Sequence, residues 1–377
     1  MTDEVRPFTI DVAREQLADL RQRLSLTRWP DPAPVDDWSQ GLPLSYLQDL
    51  VAYWADGYDW EARQRYLNSF PHYLTEIDGL DVHFVHVRSP EPGAFPLILT
   101  HGWPGSFVEF LEAIGPLTDP AAHGGDRADA FDVVVPSLPG YAFSGKPSET
   151  GWGIERTAAA WAQLMARLGY ARYGAQGGDW GSMVTTVLGQ IDPEHVAGIH
   201  LNMVIGFPGP DDELTEAEQA AVARAMDYMA NDSGYSKQQS TRPQTLGYSL
   251  VDSPAGQCAW ILEKFWSWSD TDGDPVQALG ADRILDNVML YWLPATGASS
   301  ARMYWESFDH PPFGPVSVPM GGSVFPKEII RSSRHWAARQ FSDIRYWGEP
   351  AAGGHFAAFE QPALFTEEVR AFFRTVR

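Results

Sequence analysis

The chain has 377 residues, of which 44% are hydrophobic and 13% aromatic, which supports a sizeable core and excludes a disordered chain. Its net charge of −22 argues against nucleic acid as a partner and favours a neutral or cationic small molecule. The single cysteine, Cys258, excludes an internal disulfide and a zinc cluster, and its apolar surroundings predict a buried small hydrophobe. Met1–Arg6 carries acidic residues where a secretory leader needs basic and then apolar ones. No stretch approaches about 18 uninterrupted apolar residues, so the expectation is a cytoplasmic protein with no membrane contact.

Residues 1–90 read as an N-terminal unit of helices and turns. Helical spacing of apolar residues covers Asp11–Leu20 and again Ser45–Ala55, and Trp29–Pro34 between them cannot be helical. Tyr73–Ile77, Asp78-Gly79 and Leu80–His86 predict a hairpin with a tight turn. Over 91–205 the pattern becomes α/β: strands at Pro96–Thr100 and Phe131–Pro136, a helix over Ala158–Leu168, and a strand over Arg172–Gln176. Residues 206–310 break this alternation with helical runs at Thr215–Met229, Ala255–Trp268 and Ile284–Trp292, which predicts a helical insertion. Over 311–377 the α/β pattern resumes at Val316–Pro319 and closes with a helix near Thr366–Val376. The fold class is therefore α/β, with a mostly parallel sheet covered on both faces.

The segment Gly177-Gly178-Asp179-Trp180-Gly181 follows the strand at Arg172–Gln176. Small residues on both sides of a central residue are what a nucleophile elbow requires, because the strand-to-helix turn leaves no room for side chains there. The centre is Asp179 rather than Ser, and a carboxylate at that point attacks saturated carbon. A glycine-rich turn with a capping Asp is the plainer reading of Gly-Gly-Asp alone. Among ten histidines, His355 alone combines a late position with a Gly-Gly approach, as a base would. Glu328 precedes it and can orient the imidazole, although spacing leaves Asp343 and Glu360 as rivals. His101-Gly102-Trp103-Pro104-Gly105 follows the strand ending at Thr100, and predicts an oxyanion hole from the backbone N–H groups of Trp103 and Trp180. His101 is expected to stabilise that loop by hydrogen bonding.

These motifs, with Asp252–Gly256, Asn287–Trp292 and Gly353–Glu360, resemble the microsomal-type epoxide hydrolases over nearly the whole chain. The resemblance implies an α/β-hydrolase core, a helical lid over the site, and an N-terminal extension without the relatives' membrane anchor. It implies proton-donating tyrosines at Tyr235 and Tyr304, and it selects Glu328 as the acid behind His355. The implied reaction is epoxide hydrolysis to a vicinal diol through an alkyl ester on Asp179, with no metal or other cofactor. Ser236 and Lys237, beside Tyr235, and Trp260 are candidates for substrate contacts, and the tryptophans suit an aromatic or hydrophobic epoxide. Biosynthesis of an aromatic or polyketide natural product is the expected role, and a homodimer the expected assembly. The rival readings are a haloalkane dehalogenase, which shares the Asp and His but needs no phenols, and a non-catalytic binding protein of the same fold.

Overall fold

Among the described residues, 4–377 of this computed structural model, nine strands form one sheet. They are β1 (Val5–Phe8), β2 (His72–Ile77), β3 (Leu80–Val87), β4 (Phe95–Thr100), β5 (Phe131–Pro136), β6 (Tyr173–Gly177), β7 (Val196–Leu201), β8 (Met320–Ser323) and β9 (Ile344–Gly348). Their order is β1-β2-β3-β5-β4-β6-β7-β8-β9. The β1–β2, β2–β3 and β3–β5 pairs are antiparallel and the rest are parallel. The N-terminal segment therefore adds strands to the main sheet, where helices and a lone hairpin were expected. The order reverses around β4, which leaves a crevice beyond the carboxyl ends of β4 and β6. Thr100 pairs with Gly177, so the loops after these two strands emerge side by side. Every residue of β6 and β7 is buried, as a central parallel sheet demands.

Helix formation follows local signals. The helix Ile154–Arg167 buries Ile154, Ala158, Trp161, Leu164 and Met165 along one face. Glu216–Asn231 begins with a capping box: the Glu218 N–H donates to Thr215 Oγ1, and the Thr215 N–H donates to the Glu218 carboxylate at 3.0 Å. The final helix runs Pro362–Phe373, earlier than expected, because Pro362 is preorganised for a first helical position. Seven helices from Glu216–Asn231 to Gly297–Ser307 separate β7 from β8. Cys258 is fully buried on one of them, and burial pushes its thiol up to about 12.

The strand expected at Val316–Pro319 lies later. Val316 makes only an isolated bridge to Phe341, and β8 begins after Pro319, which has no N–H to donate. Met-Gly-Gly-Ser has no strand signature. It is fixed instead by its neighbours, since a Cβ on Gly321 would stand 2.5 Å from the Phe372 ring.

Side chains of the N-terminal helices Leu44–Asp56 and Trp60–Leu67 reach across to the helices after β7. Tyr46, Tyr53 and Tyr58 donate to Asp274, Asp282 and Asp286 at 2.5, 2.7 and 2.9 Å. Arg63 Nε lies 3.0 Å from both carboxyl oxygens of Asp286, whose side chain is only 3% exposed. Removing the cation would strand a buried charge. Arg63→Ala is expected to destabilise the protein by about 3–5 kcal/mol, whereas Arg63→Ala with Asp286→Ala should recover part of that loss in a denaturant titration.

Candidate active site

Asp179 stands between β6 and the helix Trp180–Ile191 with φ 50° and ψ −129°, a conformation that L-residues rarely adopt. Its neighbours explain the glycines. A Cβ on Gly177 would lie 2.0 Å from the Gly181 carbonyl oxygen, one on Gly181 1.9 Å from the Thr100 oxygen, and one on Gly178 2.6 Å from Asn202 Nδ2. Gly102 is bare for the same reason, because its Cβ would meet Asp179 Oδ1 at 2.0 Å. The turn thus pushes the Asp179 carboxylate out against the loop after β4, where the Trp103 N–H donates to Oδ1 at 2.8 Å. The Trp180 amide, expected to converge on the same oxygen, makes no hydrogen bond to that carboxylate here. His101 accepts the Leu138 N–H at Nε2 (3.2 Å), and burial lowers its pKa to about 4, so it braces the loop as a neutral ring.

His355 comes from the loop before the short helix Ala357–Glu360. Its own N–H donates to the Trp268 carbonyl at 2.9 Å, and Gly354 must be glycine because a Cβ would lie 2.4 Å from that oxygen. Nε2 faces Asp179 Oδ2 at 3.3 Å, and Nδ1 faces Glu328 Oε1 at 2.7 Å. The Ile329 N–H also donates to Glu328 Oε1, and no donor among the described residues reaches the buried Oε2. Burial alone would depress the imidazole, but the Glu328 and Asp179 carboxylates on either side outweigh it and hold His355 well above its ordinary value.

The rival carboxylates lie elsewhere. Asp343 pairs with exposed Arg345. Glu360 accepts the Phe356 and Asp270 N–H groups and ties the loop around His355, with burial raising its pKa to about 7.

Tyr235 and Tyr304, on the helices Gly234–Thr241 and Gly297–Ser307, are both buried over this group. The Tyr235 ring stacks on Trp103 at 4.9 Å, the Tyr304 ring meets Trp180 edge-on at 4.8 Å, and the two phenol rings are 5.7 Å apart. Burial pushes both hydroxyls well above their ordinary value, so both keep their protons. Tyr228 was not foreseen, yet its hydroxyl lies 2.8 Å from that of Tyr235. Nothing in Asp227-Tyr228-Met229 signals this role, which depends on how two helices meet.

The three expected substrate contacts are not brought to the carboxylate. Lys237 is exposed, because residues two apart on a helix face different ways and Tyr235 takes the inward side. Ser236 turns its hydroxyl back to the Ser233 carbonyl (2.8 Å), and the Trp260 indole N–H donates to Gln239 (3.1 Å).

A mostly parallel sheet with a strained acidic turn at its switch point is the α/β-hydrolase fold, and residues 96–244 match the model of that fold. Residues 5–110 match the "Epoxide hydrolase N terminus" model. A Stigmatella aurantiaca protein provisionally named an epoxide hydrolase is 53% identical over 376 residues, 99% of this chain and 86% of that protein. Epoxide hydrolase 1 of Sus scrofa is 36% identical, covering 98% of this chain and 88% of its own length. The crystal structure of Aspergillus niger epoxide hydrolase superposes with a TM-score of 0.90 at 34% identity, over 99% of this chain and 97% of that one.

The chain belongs to the epoxide hydrolase family and is an enzyme of that class. The non-catalytic and dehalogenase readings are thereby set aside. Among the described residues, no helix is long and apolar enough to cross a membrane.

Proposed function

We propose that the enzyme opens an epoxide in two covalent steps. Asp179 Oδ2 attacks one oxirane carbon, the C–O bond breaks, and the alkoxide takes a proton from Tyr235 or Tyr304. The product is an alkyl ester on Asp179. Water then adds to the ester carbonyl carbon, giving one proton to His355 Nε2 while Glu328 stabilises the imidazolium. Negative charge in that step gathers on Asp179 Oδ1, and the Trp103 N–H is aimed at it. Collapse releases a vicinal diol. The single observation that carries this reading is the division of the Asp179 carboxylate between Trp103 N–H at 2.8 Å and His355 Nε2 at 3.3 Å. One oxygen has its oxyanion donor, and the other faces both substrate and base. The helices after β7 act as the lid in this scheme.

The test is intact mass of His355→Gln protein after exposure to styrene oxide, alongside a diol assay of the parent. An adduct of one substrate mass on Asp179 is the expected result. Diol from the parent without any trapped adduct would point to direct attack by water. Tyr235, Trp103, Trp180 and Trp268 form aromatic walls beside the carboxylate, which favours aryl or other flat hydrophobic epoxides. A role in making an aromatic or polyketide metabolite fits those walls. Equal turnover of aryl and short aliphatic terminal epoxides would count against it.

A further inference from the structure

Asp179 and His355 also border a small cavity of about 10 Å³, which is room for one water molecule. Tyr235 and Tyr304 take no part in its walls. Its other polar side chains are Glu109, Asn202, Thr100 and His101, and apolar Phe110 and Phe365 help to close it.

Glu109 lies on the short helical turn Phe107–Phe110 after the Trp103 loop. No step so far uses it. Its carboxyl sits in the space beside Gly105, where a Cβ would come within 1.4 Å of Glu109 Oε1. Burial pushes this carboxyl up to about 8; His355 pulls against that, and Asp179 and Glu360 add to it. An ordered water needs two to four polar partners, and this cavity supplies the His355 imidazole with the Asp179, Glu109 and Asn202 side chains.

We propose that this cavity is the seat of the hydrolytic water and that Glu109 is the residue that holds it for attack on the Asp179 ester. The inference rests on the covalent reading above. The water gives one proton to His355 Nε2 as its oxygen bonds to the Asp179 carbonyl carbon. Its second hydrogen stays bonded to the Glu109 carboxyl, which turns a lone pair toward that carbon. The ester C–O bond to the substrate then breaks, the departing alkoxide takes the proton from His355, and Asp179 keeps the water oxygen, while the water's second hydrogen, left on the restored carboxyl, passes to the now neutral ring. Glu109 acts only in this half of the cycle, because alkylation consumes no water.

The experiment is rapid-quench intact mass with styrene oxide on the parent enzyme, Glu109→Gln and Gly105→Ala, with melting temperatures as the control for folding. In Glu109→Gln, ester hydrolysis is expected to slow by about tenfold or more while alkylation stays within about twofold, so the adduct accumulates. Gly105→Ala keeps the carboxyl but displaces it, and should show the same split. Parent-like ester hydrolysis in folded Glu109→Gln overturns the proposal, as does equal slowing of both steps, which is what a merely structural residue would give. Should Glu109→Gln not fold, parent-like hydrolysis in folded Gly105→Ala overturns it. No adduct in His355→Gln would overturn the covalent reading and this inference with it. An adduct there together with normal hydrolysis in Glu109→Gln overturns the inference alone.

Discussion

Asp179→Asn is expected to lower kcat/KM by about five orders of magnitude or more, with any residual turnover traceable to slow deamidation back to Asp. An amide nitrogen at that point is not a nucleophile, and nothing else in the site replaces it. His355 cannot serve, because Nε2 is directed at Asp179 and Nδ1 is held by Glu328. The fold should survive, since Asn tolerates positive φ better than most residues and can still accept the Trp103 N–H. The measurement is turnover of styrene oxide in fresh and aged preparations, with mass analysis of the peptide around residue 179. Activity within a hundredfold of the parent in fresh, undeamidated protein would remove Asp179 from the chemistry.

The double substitution Tyr235→Phe with Tyr304→Phe is expected to slow alkylation by about 10⁴-fold, and each single change by about 10- to 100-fold. The alkoxide formed by ring opening is a strong base, and burial keeps the Tyr235 and Tyr304 hydroxyls protonated beside the carboxylate. Phenylalanine preserves the rings, so the stacking of residue 235 on Trp103 and the edge contact of residue 304 with Trp180 persist. The loss would therefore report the hydroxyls rather than collapsed packing. The two tyrosines are not equivalent, because the Tyr235 hydroxyl lies 2.8 Å from that of Tyr228 as well. Single-turnover adduct formation, followed by mass, separates this step from ester hydrolysis. A double variant that alkylates at the parent rate would refute the proton-donor assignment.

How far the chain could be read in advance depended on whether a feature was enforced locally. Gly177, Gly178 and Gly181 were legible because the clashes that demand glycine arise within one turn and with the adjacent loop. The helical runs expected over Thr215–Met229 and Ala158–Leu168 were legible for the same reason, since a capping box and an apolar stripe enforce them locally. Choosing among Glu328, Asp343 and Glu360 was not a local matter. All three follow Val316 and flank His355, and only the arrangement of strand ends puts Glu328 against Nδ1. Reading Lys237 as a neighbour of the site mistook closeness in sequence for closeness on a helix. Tyr228 and Glu109 carried no signal, since each matters only through what another element brings to it. β8 was misplaced because its buried glycines are dictated by Phe372 and Trp347 rather than by strand propensity.

The position of His355 between two carboxylates, 2.7 Å from one and 3.3 Å from the other, gives the proposed cycle its timing. The two carboxylates hold the ring well above its ordinary value, so in the proposed cycle it begins protonated and cannot activate water prematurely. Ring opening turns one of those anions into a neutral ester. With the Asp179 share of its electrostatic support gone, the imidazolium yields its proton, and the phenol that has just lost one is the natural recipient. Only then is the ring competent to accept a proton from water. Hydrolysis restores the second anion and the original protonation together. The intermediate itself thus switches the enzyme from its first task to its second, and net consumption is limited to one epoxide and one water.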